Sequence, residues 1–211
     1  MTQIQILWST LVIIYGAFFG WYTSFEGPLT EEEIAEYIEL FEQNEVSGSD
    51  LEVIRRFMEQ DTGDDFAMVN VIHFYDRPLQ VEGVEPGETS SQVLDKYMQY
   101  MYPALFSRAS HPVYFGSAAS PALDIMNAEG MDTWSSGALM RYRSRRDMLE
   151  ISTNPSFAGS HEYKVAAMAK TIAFPVDPWI QLGDPRLVFA LLLSLIGALV
   201  SWRLASRSNK G

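Results

Sequence analysis

Residues 66–75, FAMVNVIHFY, decide how the rest of the chain is read. The run is apolar, rich in β-branched and aromatic side chains, and lies between the turn-forming DTGDD (61–65) and the loop-like RPLQVEGVEPGET (77–89). It predicts a central strand. Alternation puts Met68, Asn70, Ile72 and Phe74 on one face and Val69, Val71, His73 and Tyr75 on the other. Downstream, Thr89 with Gln92 caps a helix over SQVLDKYMQYMYPALFSR (91–108). HPVYFGSAA (111–119) predicts a second strand, WSSGALMRY (134–142) a third and KTIAFPV (170–176) a fourth, with helices over about 145–151 and 156–169. Strand, helix, strand, strand, helix, strand is the ferredoxin-like split βαβ order, an α+β fold whose antiparallel sheet carries helices on one face. The other face is largely apolar and needs a cover, so a homodimer is expected.

Upstream, Thr30 to Glu33 form a capping box ahead of a helix over 31–41, and Ser49-Asp50-Leu51-Glu52 repeats the device before LEVIRRFMEQ (51–60). These two helices make an N-terminal hairpin. At the chain ends, IQILWSTLVIIYGAFFGWY (4–22) and LVFALLLSLIGALVSW (187–202) carry no charge and approach the roughly 20 apolar residues that a helix needs to cross hydrocarbon. Arg186 and Arg203 frame the second run and can reach headgroups. The first lacks the basic start and the cleavage site of a secretory signal. The second is apolar around its whole circumference, unlike a globular core helix. Both are expected to span a membrane. The organisation is then 1–24 first span, 25–62 hairpin, 63–178 sheet domain, 179–203 second span and 204–211 basic tail.

All 27 acidic residues lie between Glu26 and Asp184 with 11 basic ones, giving that segment a net charge of −16, whereas Arg203, Arg207 and Lys210 follow the second span. A short basic tail stays cytoplasmic, which places the domain outside, in a periplasm if the cell has one. The acidic domain repels nucleic acid and anionic headgroups, so the expected partners are the bilayer, a second copy and a membrane protein. With no cysteine, disulfides, thiolate metal sites and a thiol nucleophile are excluded.

The stretch LMRYRSRRDMLEISTNPSFAGSHEYKVAAM (139–168) resembles the dimeric α/β-barrel superfamily, in particular its antibiotic-biosynthesis-monooxygenase-like and uncharacterised members; the resemblance covers roughly 66–175. There a strand ending in Tyr142-Arg143-Ser144 leads through a helix to Asn154-Pro155-x-Phe157-x-x-x-His161. The resemblance implies a fold and leaves the reaction open. Haem-degrading relatives use an Asn on the first strand, a Trp ending the third and a His on the next helix. Asn70 and His161 match; Tyr142 replaces the Trp, so tight haem binding is not expected.

Among other constellations, Asp61-x-x-Asp64-Asp65 lacks the alternating oxygens of a calcium loop and is read as turn chemistry. Arg141, Arg143, Arg145 and Arg146 are the one basic concentration in the domain, set either to pair with acidic helices or to take a carboxylate or phosphate. His73, His111 and His161 show no metal-ligand spacing. Trp134, Ser136, Ala138, Met140 and Tyr142 share a strand face; if it lines an inter-sheet cavity, the small members leave room for an apolar ligand. Candidate ligand-binding residues are therefore Asn70, Trp134, Ser136, Tyr142 and His161, and the catalytic candidates are Asn70, Tyr142 and His161. Gly16 and Gly20 on the first span, and Ala190, Ser194 and Ala198 on the second, form small-residue stripes expected to pack helices, either span against span or against a partner protein. The expected function is a membrane-tethered module binding a small apolar or aromatic molecule, or an accessory subunit of a membrane complex. A cofactor-independent or haem-using monooxygenase and a purely structural protein are the alternatives.

Overall fold

A computed structural model describes residues 1–43 and 50–208, which fall into two compact units: Met1–Thr23 with Pro178–Gly211, and Ser24–Asp177. Ser49 of the second expected capping box and Lys210 of the tail lie outside the described residues.

The first unit is a helix pair, α1 (Gln3–Tyr22) and α7 (Pro185–Ser208). Both are long and apolar enough to cross a membrane; their rise gives ~30 Å and ~36 Å against a hydrocarbon core of about 30 Å. The helices run antiparallel, with Trp8 Nε1 donating to Ser201 Oγ at 3.2 Å near one end. Towards the other, Phe18 meets Phe189 at 4.8 Å, and the Arg186 guanidinium lies 5.6 Å from the Tyr22 ring. Within this helix pair the contact does not run along the expected stripes, whose pairing with a partner protein it leaves untouched. A Cβ added at Gly16 or Gly20 would meet nothing within 4 Å among the described residues, and Ser194 and Ala198 are exposed; Ala190 is half-buried. The crossing instead uses Gly197, where a Cβ would fall 2.7 Å from Trp8 and 2.9 Å from Leu11. The reason is size: α1 brings its bulky Trp8, Leu11 and Phe18 to the interface, and such residues need a gap opposite them.

In the second unit, α2 (Glu31–Gln43) and α3 (Leu51–Glu59) precede β1 (Phe66–Phe74), α4 (Ser90–Ser107), β2 (His111–Ser117), β3 (Ser136–Tyr142), α5 (Arg145–Thr153), α6 (Pro155–Ala167) and β4 (Met168–Val176). The sheet order is β2-β3-β1-β4, with every neighbouring pair antiparallel. Both described capping boxes form: Thr30 with Glu33, and Thr89 with Gln92. Asp50 caps α3 by accepting from the amides of Glu52 and Val53.

Phe66, Met68 and Phe74 from β1 and Met140 and Tyr142 from β3 pack with α4 (Val93, Leu94, Tyr97, Met101, Leu105) and α6 (Phe157, Ala166). The helices thus cover one sheet face. On the other, register aligns Val69 with Leu139 and Phe174, and Val71 with Gly137 and Ile172; Tyr114 extends the row opposite Leu139. Tyr114, Ile172 and Phe174 are exposed. A separate core joins the hairpin to α5 through Leu29, Ile34, Ile38, Phe41, Met58 and Leu149. Between hairpin and β1 the chain turns at Gly63, whose φ of 81° and close approach to the Gly27 backbone, 2.5 Å from an added Cβ, admit only glycine.

Replacing Gly197 tests the corrected helix contact. Gly197→Leu overpacks the crossing by about 1–3 kcal/mol and should lower disulfide or chemical cross-linking between α1 and α7, whereas Gly16→Ile with Gly20→Ile should leave it unchanged.

Candidate functional site

The aromatic cluster between sheet and helices gathers two of the sequence-derived candidates. Phe66 and Tyr142 face each other in register, and their rings stack at 5.3 Å with 10° between planes. Above them, Asn154 Oδ1 accepts from the Ser156 amide at 2.9 Å and Pro155 opens α6, a start suited to its fixed φ and missing donor. That phase brings Phe157 and His161, one turn apart, to the inner side. The His161 ring lies 5.1 Å from Phe157 and 6.4 Å from Tyr97 of α4. Tyr97 and Phe157 meet edge to face at 6.1 Å.

Burial governs the protonation of this cluster. It pushes the Tyr142 hydroxyl up to about 12, and it raises Tyr97 further, with Tyr142 and Tyr100 adding to the effect. His161 is pulled down to about 4, first by burial and then by the nearby Lys164 charge; Lys164 is itself lowered by burial. The Nδ1 of His161 is buried with no hydrogen-bond partner among the described residues. A neutral imidazole is therefore the state this packing favours.

The other candidates are placed differently. Asn70 lies on the same sheet face, four residues and ~13 Å along β1 from Phe66, and its Nδ2 donates to the Met68 carbonyl at 3.0 Å. Ser136 sits opposite Ile72, buried, its Oγ without a partner among the described residues. Trp134 stands apart and precedes β3, which begins two residues later than expected. Its indole donates to the Met131 carbonyl at 2.9 Å and lies under the Lys170 ammonium at 4.6 Å. At the start of β3 the ladder is irregular: the Ser135 amide donates to the carbonyl of Ile72, which pairs with Ser136, and the Ser135 hydroxyl accepts from the Phe74 amide. The face carrying Met140 and Tyr142 does not line an inter-sheet cavity, because it packs against α4 and α6.

These residues do not fit haem. Tyr142, only 8% exposed, stacks on Phe66 in the room a macrocycle would need, and the unpartnered His161 nitrogen is enclosed by Tyr97 and Phe157.

The four arginines meet acids. Arg141, buried, donates to Asp65 at 2.8 Å and to the Ala109 carbonyl; Arg143 holds Asp147 through two 2.8 Å bonds. Arg145 lies 3.5 Å from Asp61 and 4.4 Å from the Phe57 ring centre. Arg146 clasps both Glu33 oxygens at 2.7 and 3.0 Å, which holds the Glu33 carboxyl down at about 2. Asp61 also accepts from the Leu29 and Gly63 amides, so DTGDD does serve as a turn.

One feature escaped the sequence reading: a groove of about 460 Å³ between α4 and α5, lined by Gln99, Tyr100, Pro103, Arg108, Glu150 and Asn154 among others. Pro103, inside a helix and without an N–H, was its available signal. Arg108 and Glu150 pair across it at 2.9 Å.

The second unit is thus an α+β domain with a four-stranded antiparallel sheet. No family model matches the chain, and no curated protein matches it. Among solved structures, the RPA0582 protein of unknown function from Rhodopseudomonas palustris aligns with a TM-score of 0.51 and 17% identity over 63% of this chain and 96% of its own. Methylated RPA0582 gives 0.53 and 18% over 64% and 96%. These likenesses show a shared fold. SnoaB, a cofactor-independent oxygenase from Streptomyces nogalater, aligns at 0.34 with 11% identity over 57% of this chain and 99% of its own, too distant to bear on fold or chemistry.

Two pH windows follow from the shifted groups. The stability that neutral, half-buried His161 contributes is complete above about pH 6.5 and is lost as the pH falls from there through about 4. The Glu33 contribution is complete above about 4.5 and is lost as the pH falls through about 2. Urea midpoints measured across this range should lose the upper slope in His161→Phe and the lower one in Glu33→Gln. Unaltered slopes would reject the assignments.

Proposed function

We propose that this chain is a membrane-tethered, ferredoxin-like module of the dimeric α/β-barrel kind that works by association, pairing with a second copy and serving as an accessory subunit of a membrane complex. The observation that supports this most is the sheet face of Val69, Val71, Leu139, Ile172, Phe174 and Tyr114, which the helices of its own unit do not cover. An apolar sheet face in water calls for a cover, and a twofold pairing supplies one from the same surface. The reactive candidates point the same way: the aromatic cluster fills its own space, and the four arginines are engaged by acids of the domain.

A second reading is favoured by one observation, the buried, unpartnered Nδ1 of His161. A small aromatic molecule with a donor group would satisfy that nitrogen if the cluster opened to admit it. Membrane insertion of α1 and α7 is supported by their length and apolarity, and the placement of the acidic domain outside the cytoplasm by Arg203 and Arg207 at the C-terminal end of α7.

Native mass spectrometry of the detergent-extracted chain should find twice the single-chain mass, and Val71→Asp should convert it to one copy with an unchanged helical circular-dichroism signal. A wild type of single mass would overturn the association reading; an added small mass lost in His161→Phe would favour ligand binding. Protease added to intact spheroplasts should digest the domain, and protection until lysis would reverse its side.

A further inference from the structure

Between β4 and α7 the chain reads Asp177-Pro-Trp-Ile-Gln-Leu-Gly-Asp184. Three large apolar side chains fall within four residues and are almost bare: Trp179 is 98% exposed, Ile180 82% and Leu182 85%. Leaving such side chains in water forgoes the gain of burying them. Their position along the chain identifies what covers them. Pro185 begins α7 three residues after Leu182 and six after Trp179, so the chain keeps Leu182 within ~10 Å and Trp179 within ~20 Å of the helix end.

The local chemistry at that end is interfacial. The Asp184 amide donates to the Gln181 carbonyl, closing a turn, and Asp184 accepts from the Arg186 amide at 2.8 Å and from its guanidinium at 2.6 and 3.0 Å. The two charges next to the apolar residues therefore cancel each other. On the adjacent end of α1, Trp21 is exposed and Tyr22 lies beneath the Arg186 guanidinium, so aromatic side chains gather at one level of the helix pair. Tryptophan and tyrosine favour the level where headgroups meet acyl chains.

We propose that Trp179, Ile180 and Leu182 form an interfacial anchor that beds into the headgroup–acyl boundary of the membrane and sets the depth of α7; this rests on the reading of α1 and α7 as spans. From Asp177 to Arg186 the segment holds two acids and one base, so no net positive charge draws it to anionic lipid. Its hold is apolar. It acts on zwitterionic membranes and persists in high salt, unlike a polybasic lipid-binding segment.

Because the chain has no cysteine, single nitroxide labels report without background. The full chain, carrying Leu182→Cys or, as a second variant, Ile180→Cys, is reconstituted into phosphatidylcholine vesicles, with Ser194→Cys in mid-span and Ser120→Cys in an exposed loop as references. Collision of the label with a water-soluble nickel chelate should be several-fold lower at 182 and 180 than at 120, its collision with oxygen intermediate between 120 and 194, and both unchanged by added salt. Nickel accessibility at 182 and 180 equal to that at 120, with 194 still shielded, would overturn the anchor and leave the spans standing. Nickel access at 194 would overturn the spanning reading and the anchor with it.

Discussion

The domain depends on a run of guanidinium–carboxylate pairs that begins at the end of β3. Arg141 is buried and holds Asp65 at the entry to β1; Arg143 ties strand to helix through Asp147; Arg145 reaches Asp61 at the exit of α3; Arg146 reaches Glu33 at the start of α2. Six residues of sequence thus fix the strand, the turn before its neighbour and both helices of the hairpin. Removing one partner of a buried pair leaves the other charge uncompensated, a loss of about 3–5 kcal/mol, so Arg141 with Asp65 and Arg145 with Asp61, the two most buried pairs, are the least replaceable. The exposed pair of Arg56 with Glu52 carries no such weight.

That constraint shapes function by consuming chemistry. A basic concentration in an acidic domain has the makings of a receptor for carboxylate or phosphate, yet each of its guanidiniums is met by a carboxylate of the fold. The aromatic cluster behaves alike, with Tyr142, Tyr97 and Phe157 enclosing the one imidazole that matched a family motif. What the second unit leaves outward is surface: an apolar sheet face and a groove along α4.

Much of the fold was legible from local rules. The β1 alternation and the Thr30 and Thr89 capping boxes each have a short-range cause, and each formed where its residues stand. The candidate site was less legible because its fate is decided across the sheet. Alternation put Tyr142 and Ser136 on one face, but whether that face met helices or a cavity depended on where α4 and α6 pack. Trp134 was counted with the strand because no local signal announced that its indole would turn to the Met131 carbonyl and the Lys170 ammonium. The contact between α1 and α7 was hidden for a similar reason. Spacing reveals small residues, whereas only packing reveals which small residue, Gly197, receives Trp8 and Leu11.

The central claim, that the sheet face of Val69, Val71 and Phe174 is covered by a second copy, is tested most directly by hydroxyl-radical footprinting of the full chain in membranes. The molecule carries its own controls, since Tyr102 and Phe106 on α4 are as open in the single chain as Tyr114 and Phe174 on the sheet. The account predicts that Tyr114 and Phe174 are oxidised several-fold more slowly than Tyr102 and Phe106. Equal rates across the four would show the sheet face bare and contradict it.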